Sequence, residues 1–267
     1  MEYTGLVASI VMGLILGTMG GGGSILTVPI LVYLFALSPT VATGYSLFVV
    51  GITALIGSIL FIRRGDVDFL AAGSFALPSV IGVNISRGLV IPMIPSIVAT
   101  VGTFTLTKEI LVMVVFSTLM IAASYSMIRK KNERKPIQAS AFVRVVLIGL
   151  QGLIVGSIAG FVGAGGGFLI IPSLVFMAGL SMRVSVGTSL VIIAFQSLLG
   201  FAGDVSRGLQ ADWPLIVKVT AFAVMGIIAG SAFAHKIKEE KLKFAFGWFV
   251  LIMGITILAE QIRHISS

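Results

Sequence analysis

The chain has 267 residues, of which 57% are hydrophobic and 10% charged, with 18 Lys and Arg against 10 Asp and Glu for a net charge of +8. Soluble domains carry roughly 25% charged residues, so this balance, with a mean hydropathy of +1.13, excludes a soluble enzyme and points to a polytopic membrane protein. Cysteine is absent and the histidines are only His235 and His264, which excludes disulfides, thiolate centres and histidine metal clusters; neither metal nor cofactor is expected.

In chain order, the N-terminus lacks a basic region followed by a small-residue cleavage site, so the first apolar segment is expected to stay in the protein. That segment, Gly5–Leu37, exceeds the ~20 residues one crossing needs and is broken by Gly20, Gly21, Gly22 and Gly23. Ala42–Ile62 and Phe69–Ser86 each read as one span. Gly88–Thr107 holds Pro92 and Pro95 and reads as a loop with a short interfacial segment, because proline disfavours a regular helix. Ile110–Ile128 is the next span. Arg129–Pro136 is the most basic stretch and is expected in the cytoplasm. Phe142–Leu180 is again overlong and glycine-broken, and Val184–Gly203, Pro214–Ala234 and Leu242–Ile262 complete the series.

Two copies of one unit account for this order. Gly20–Pro29 returns as Gly163–Pro172, and Pro29 and Pro172 stand 143 positions apart. The same offset relates Gly13 to Gly156, Gly17 to Gly160, Ser38 to Ser181, Gly44 to Gly187, Ser46 to Ser189, Gly57 to Gly200 and Arg64 to Arg207. The expected organisation is a first membrane repeat over 1–128, a basic cytoplasmic linker over 129–140 and a second repeat over 141–267. The fold class is all-α, each repeat having a glycine-broken first helix or re-entrant hairpin plus three transmembrane helices.

The basic residues weigh one topology against the other. If both broken segments cross once, the linker's side holds 11 of the 18 Lys and Arg; if both are hairpins, the halves are inverted and it holds 13. The positive-inside rule therefore favours inversion. The short-loop placement of these cations also explains the positive charge without nucleic acid as a partner.

Glycine runs interrupt helices, and inside a bilayer such backbone is tolerated where it is buried in protein or lines a cavity. Matching interruptions in two halves mark a transporter's binding site. A helix starting after each run directs its positive end at the break, which favours anions. The candidate substrate-binding residues are Gly20, Gly21, Gly22, Gly23, Ser24, Gly163, Gly165, Gly166 and Gly167, with Tyr45, Ser46, Thr188, Ser189 and Gln196 from the following spans. Each has a structural alternative: glycines pack helices closely, and serines bond their own helix backbone. The acidic residues all fall at or near segment ends, which argues against a buried carboxylate relay. No nucleophile–base pair is evident, so no catalytic residue is expected.

The paired glycine runs followed by proline, Gly-Thr-Ser-Leu at 187–190 with its variant Gly-Tyr-Ser-Leu at 44–47, and the basic central linker resemble the TauE/SafE family of sulfite and organosulfonate exporters. The resemblance covers nearly the whole chain. It implies a multi-pass inner-membrane permease for small sulfur-containing or carboxylic anions, working mostly outward. Tyr45 departs from the commoner small hydroxyl residue, and Gly88–Thr107 lengthens one loop. The expected partners are a small anionic substrate and the bilayer, with room for a homo-oligomer. A passive anion channel, a carboxylate permease and a non-transporting membrane assembly remain the alternative functions.

Overall fold

The computed structural model describes residues 2–90, 93–95, 97–101, 104–128, 141–162, 167–176, 178–206 and 208–266. Helix α1 (Glu2–Met19) ends in a 3-10 turn at Gly20–Gly23, after which α2 (Ser24–Pro29) and a π-helical turn (Ile30–Leu34) lead to α3 (Pro39–Arg63) and α4 (Phe69–Ile85). A second π turn (Ser86–Val90), strands β1 (Ile97–Val101) and β2 (Phe104–Thr107), and α5 (Lys108–Ile128) complete the first half. The second half comprises α6 (Ala141–Val162), α7 (Gly167–Phe176), α8 (Met182–Ser206), α9 (Trp213–Lys236) and α10 (Glu239–Ser266). Among the described residues, six helical stretches are long and apolar enough to cross a membrane, and large apolar side chains such as Leu77, Ile81, Leu150, Met225 and Ile252 face outward. The protein is a multi-pass all-α membrane protein. The 88–107 stretch is more than a loop: β1 and β2 pair antiparallel within it. The β-branched Ile97, Val98, Thr100 and Val101, with Thr105 and Thr107 in the second strand, suit a strand pair, and Pro95 disfavours a helix leading into it.

The first glycine run reverses the chain. A Cβ on Gly23 would stand 2.5 Å from the Leu16 amide nitrogen, and one on Gly5 would stand 2.5 Å from the Phe35 ring. Residues 16 and 23, and 5 and 35, meet only when the second leg returns antiparallel to the first. The legs of α6 and α7 are likewise joined, by a 3.3 Å hydrogen bond in which Ser173 Oγ donates to Gln151 Oε1. Proline accounts for the irregular return leg: Pro29 lacks a donor, and the π turn follows it directly.

Packing between the halves is reciprocal. On α1 and α9, Gly13 lies against Ala223, Gly17 against Ile227, Gly226 against Ile10 and Gly230 against Leu14, so these helices run parallel. On α6 and α4, Gly152 lies against Phe75, Gly156 against Ser79 and Gly160 against Val83, again in parallel. Helix α3 meets α8 with Gly51 on Leu198, Gly57 on Leu190 and Gly200 on Leu47, which makes this pair antiparallel. Helix α10 crosses α5 antiparallel, with Gly247 on Met127 and Gly254 on Met120. Lipid supplies no hydrophobic drive between helices, so small residues that admit a neighbour's backbone hold such pairs together.

The helix ends also correspond. Gly65 (φ 76°) and Gly208 (φ 97°) close α3 and α8, and Asp66 and Leu209 donate their amides to Phe61 O and Asp204 O at 3.0 and 3.1 Å. This is the Schellman closure, which needs a left-handed residue just past the helix. The two return legs end with Gly179 (φ 69°) in one hairpin and Ala36 (φ 55°) in the other. An alanine in this region carries roughly 1–2 kcal/mol of strain. Ala36→Gly is therefore expected to stabilise the protein by about 1 kcal/mol after the entropy of a freer unfolded chain is subtracted, read as a higher melting temperature in detergent; a lower one would count against the strain.

Candidate functional site

The first glycine break meets the start of α7. A Cβ added to Gly21 would overlap the Gly167 carbonyl, and one added to Gly167 would stand 2.8 Å from Gly21 Cα. Gly20 sits at φ 59°, and its Cβ would stand 2.5 Å from Ser189 Oγ on α8. Gly20, Gly21, Gly22, Gly23 and Gly167 are all buried. Ile171 closes on Gly20, Ile193 on Gly167 and the Phe246 ring on Gly22. Backbone from the first glycine run and from the first residue of α7, one serine hydroxyl and an apolar surround thus occupy one place. The left-handed φ at Gly20 is what turns α1 into the 3-10 segment, and the absence of side chains is what lets the second tip touch the first.

The candidate serine hydroxyls are engaged. Ser24 Oγ donates to Gly21 O at 2.7 Å. Ser189 Oγ donates to Val186 O at 2.8 Å, and its counterpart Ser46 Oγ donates to Thr43 O at 2.7 Å. Each proton goes to the residue's own helix or turn. Sequence reasoning passed over Thr27. It is 1% exposed, lies three residues beyond Ser24 on α2 and hence on the same face, and its Oγ1 has no hydrogen-bond partner among the described residues. A buried hydroxyl left unmatched is costly. The available signal was a threonine at helical spacing from Ser24, directly after the glycine run.

Tyr45 and Thr188, a matched pair, lie elsewhere. Tyr45 Oη accepts from the Asp212 amide at 2.7 Å and donates to Gln210 O at 3.1 Å. Thr188 Oγ1 accepts from the Asp68 amide at 3.0 Å. Asp68 and Asp212 then cap α4 and α9, their Oδ1 atoms accepting from Ala71 N at 2.9 Å and Leu215 N at 3.2 Å. Each hydroxyl therefore holds the opposite half's loop at the point where a helix begins, and the two holds lie at opposite ends of the α3–α8 pair. Gln196 is half-buried on α8, two turns from Ser189. Gly163, Gly165 and Gly166 lie outside the described residues. Arg64 donates from Nη1 to Ser231 O on α9 at 2.9 Å.

A family model described as Sulfite exporter TauE/SafE matches residues 5–257. The probable membrane transporter protein YdhB of Bacillus subtilis (strain 168) is 26% identical over 257 residues, covering 95% of this chain and 98% of that one. A probable membrane transporter protein of Xylella fastidiosa (strain Temecula1) is 27% identical over 252 residues, covering 92% and 91%. The probable membrane transporter protein MJ0441 of Methanocaldococcus jannaschii is 28% identical over 266 residues, covering 93% and 94%. A match along nearly the whole chain, on a multi-pass helical fold with two glycine-broken hairpins, makes this protein a member of the TauE/SafE family of membrane transporters.

Proposed function

We propose that this transporter exports small sulfur-containing oxyanions, sulfite-like or sulfonate, and binds them where the two glycine breaks meet. The observation that carries the reading is the contact of Gly21 with Gly167 beside Ser189 and Gly20. A glycine run set against the N-terminal end of α7 supports an anion site, and Thr27 Oγ1 has no hydrogen-bond partner among the described residues. Gly21 lies directly against Gly167, so substrate entry requires one half to move against the other, as in alternating access.

Inverted repeats give that motion its form, and the antiparallel α3–α8 and α5–α10 pairs support inversion. Matched helices of repeats with the same orientation would run parallel. The α5 end and the α10 start pack together through Gly247, Met127 and Ile128, which supports a 236–243 turn on the same side as the end of α5. The chain has no native cysteine, so Lys238→Cys is expected to react with a membrane-impermeant maleimide only from the cytoplasmic side. Reaction from outside would refute inversion.

Flux in liposomes tests the site. Gly22→Ala places its methyl 3.0 Å from Phe246 Cε2, a ring edge able to shift by a few tenths of an ångström, so the fold should survive. A methyl group in a binding site is worth about 1–3 kcal/mol, or roughly tenfold and more. Sulfite or sulfonate flux should fall by about that factor at unchanged melting temperature. Undiminished flux would remove the glycine break from the substrate path. Saturating transporter-like turnover in the unsubstituted protein separates this reading from a passive channel.

A further inference from the structure

We propose that an anionic phospholipid of the cytoplasmic leaflet occupies a specific groove between α1, α9 and α10. The groove has a volume of about 410 Å³ and is lined by Leu14, Thr18, Met19, Phe233, Ile237, Leu242 and Ala245. It arises from the sequence. Gly13, Gly17, Gly226 and Gly230 bring α1 and α9 into backbone contact; past them come Thr18, Met19 and Phe233, whose bulk parts the two helices. Phe233 stands half-exposed in the opening.

The lining selects the occupant. Its one polar side chain, Thr18, gives its proton to Leu14 O at 2.9 Å and Ile15 O at 3.1 Å in its own helix. A small oxyanion finds no donor there, whereas a hydrocarbon chain loses nothing. The mouth is basic. Arg183 Nη2 donates to the carbonyl of the groove residue Ile237 at 3.5 Å, and Lys236, Lys238 and Lys241 are exposed on the same turn. Lys243 lies over the Phe176 ring at 4.8 Å. Glu239 and Glu240 share that turn, and Asp66 and Asp68 lie beside the start of α8 at Gly187 and Thr188; with Arg64 at the same end, the six basic residues outnumber these four acids. Basic pockets between membrane helices on the cytoplasmic side bind anionic head groups. The acyl chain lies in the groove and the phosphate sits at the lysine-rich turn, with Met19 bringing the lipid against the first glycine break. This assignment does not depend on which solute is transported.

The test uses the full-length protein purified in neutral detergent and given either dioleoylphosphatidylglycerol or dioleoylphosphatidylcholine, with retained lipid counted by native mass spectrometry. Each basic residue near a membrane surface contributes about 1 kcal/mol, so phosphatidylglycerol should be retained roughly tenfold or more over phosphatidylcholine. The triple variant Lys236→Gln, Lys238→Gln, Lys241→Gln should lose that preference, and Ala245→Phe, which fills the groove, should lose retention itself. Ala245→Met provides the same reading if the larger side chain prevents folding. Equal retention of both lipids overturns the proposal. Preference that survives filling of the groove overturns it too, because the lipid would then sit elsewhere on the basic surface. So does disulfide-linked dimer formation by Ala245→Cys, which would assign the groove to a second copy.

Discussion

Gly21→Ala is expected to abolish flux and to lower the yield of folded protein. The added methyl would overlap the Gly167 carbonyl carbon and oxygen. These are backbone atoms at the start of α7, and they cannot rotate aside as the Phe246 ring can for Gly22. Overpacking costs about 1–3 kcal/mol where side chains can adjust; with backbone as the obstacle the cost should reach about 3 kcal/mol or more. The tips must separate, and with them Gly20 from Ser189. Detergent-solubilised protein should melt well below the unsubstituted chain, and the fraction that folds should carry no substrate. The comparison with Gly22→Ala is decisive, since the two glycines are adjacent and differ in what stands beyond the missing Cβ. Equal melting temperatures for the two variants would mean that the tips do not touch.

The glycine register made much of this arrangement readable beforehand. One offset of 143 positions relates Gly20–Pro29 to Gly163–Pro172 and Gly65 to Gly208, because the same turn built twice needs the same residue at the same place. The composition left two paths for each broken segment, since an apolar run is equally long whether it continues or returns. The contacts of Gly23 with Leu16 and of Gly5 with Phe35, and the Ser173–Gln151 bond in the second segment, distinguish them. Other features were hidden for definite reasons. Asp68 and Asp212 cap equivalent helices but stand 144 positions apart, so a one-residue insertion took them out of the register. Tyr45 and Thr188 read as polar groups on apolar spans, and nothing along one helix reveals that its hydroxyl reaches a loop 120 residues or more away. Gly13, Gly17, Gly156 and Gly160 proved to be helix-packing positions in the described fold, a use that spacing alone leaves open beside substrate contact.

Tyr45→Phe and Thr188→Val are expected to shift accessibility in opposite directions. Tyr45 fastens the α8–α9 loop to α3 through Gln210 and Asp212; Thr188 fastens the α3–α4 loop to α8 through Asp68. These are matching fastenings at opposite ends of the α3–α8 pair. If the halves rock about α3 and α8, opening one face must release one fastening while the other holds. Leaving a partly buried amide without its acceptor costs about 1–3 kcal/mol, discounted toward the lower value because Asp212 is itself exposed. One kilocalorie per mole alters a population about fivefold. Leu209, which packs against Gly44, and Val67, which packs on the core, report on the two faces. With Leu209→Cys as the reporter, Tyr45→Phe should raise maleimide labelling severalfold, and Thr188→Val should leave it unchanged or lower. With Val67→Cys the order should reverse. Tyr45 makes two bonds where Thr188 makes one, so the resting preference should lie toward closure on the side of Gln210, and Tyr45→Phe should have the larger effect. Parallel increases at both reporters would indicate general loosening, and the two hydroxyls would then be structural ties without a part in access.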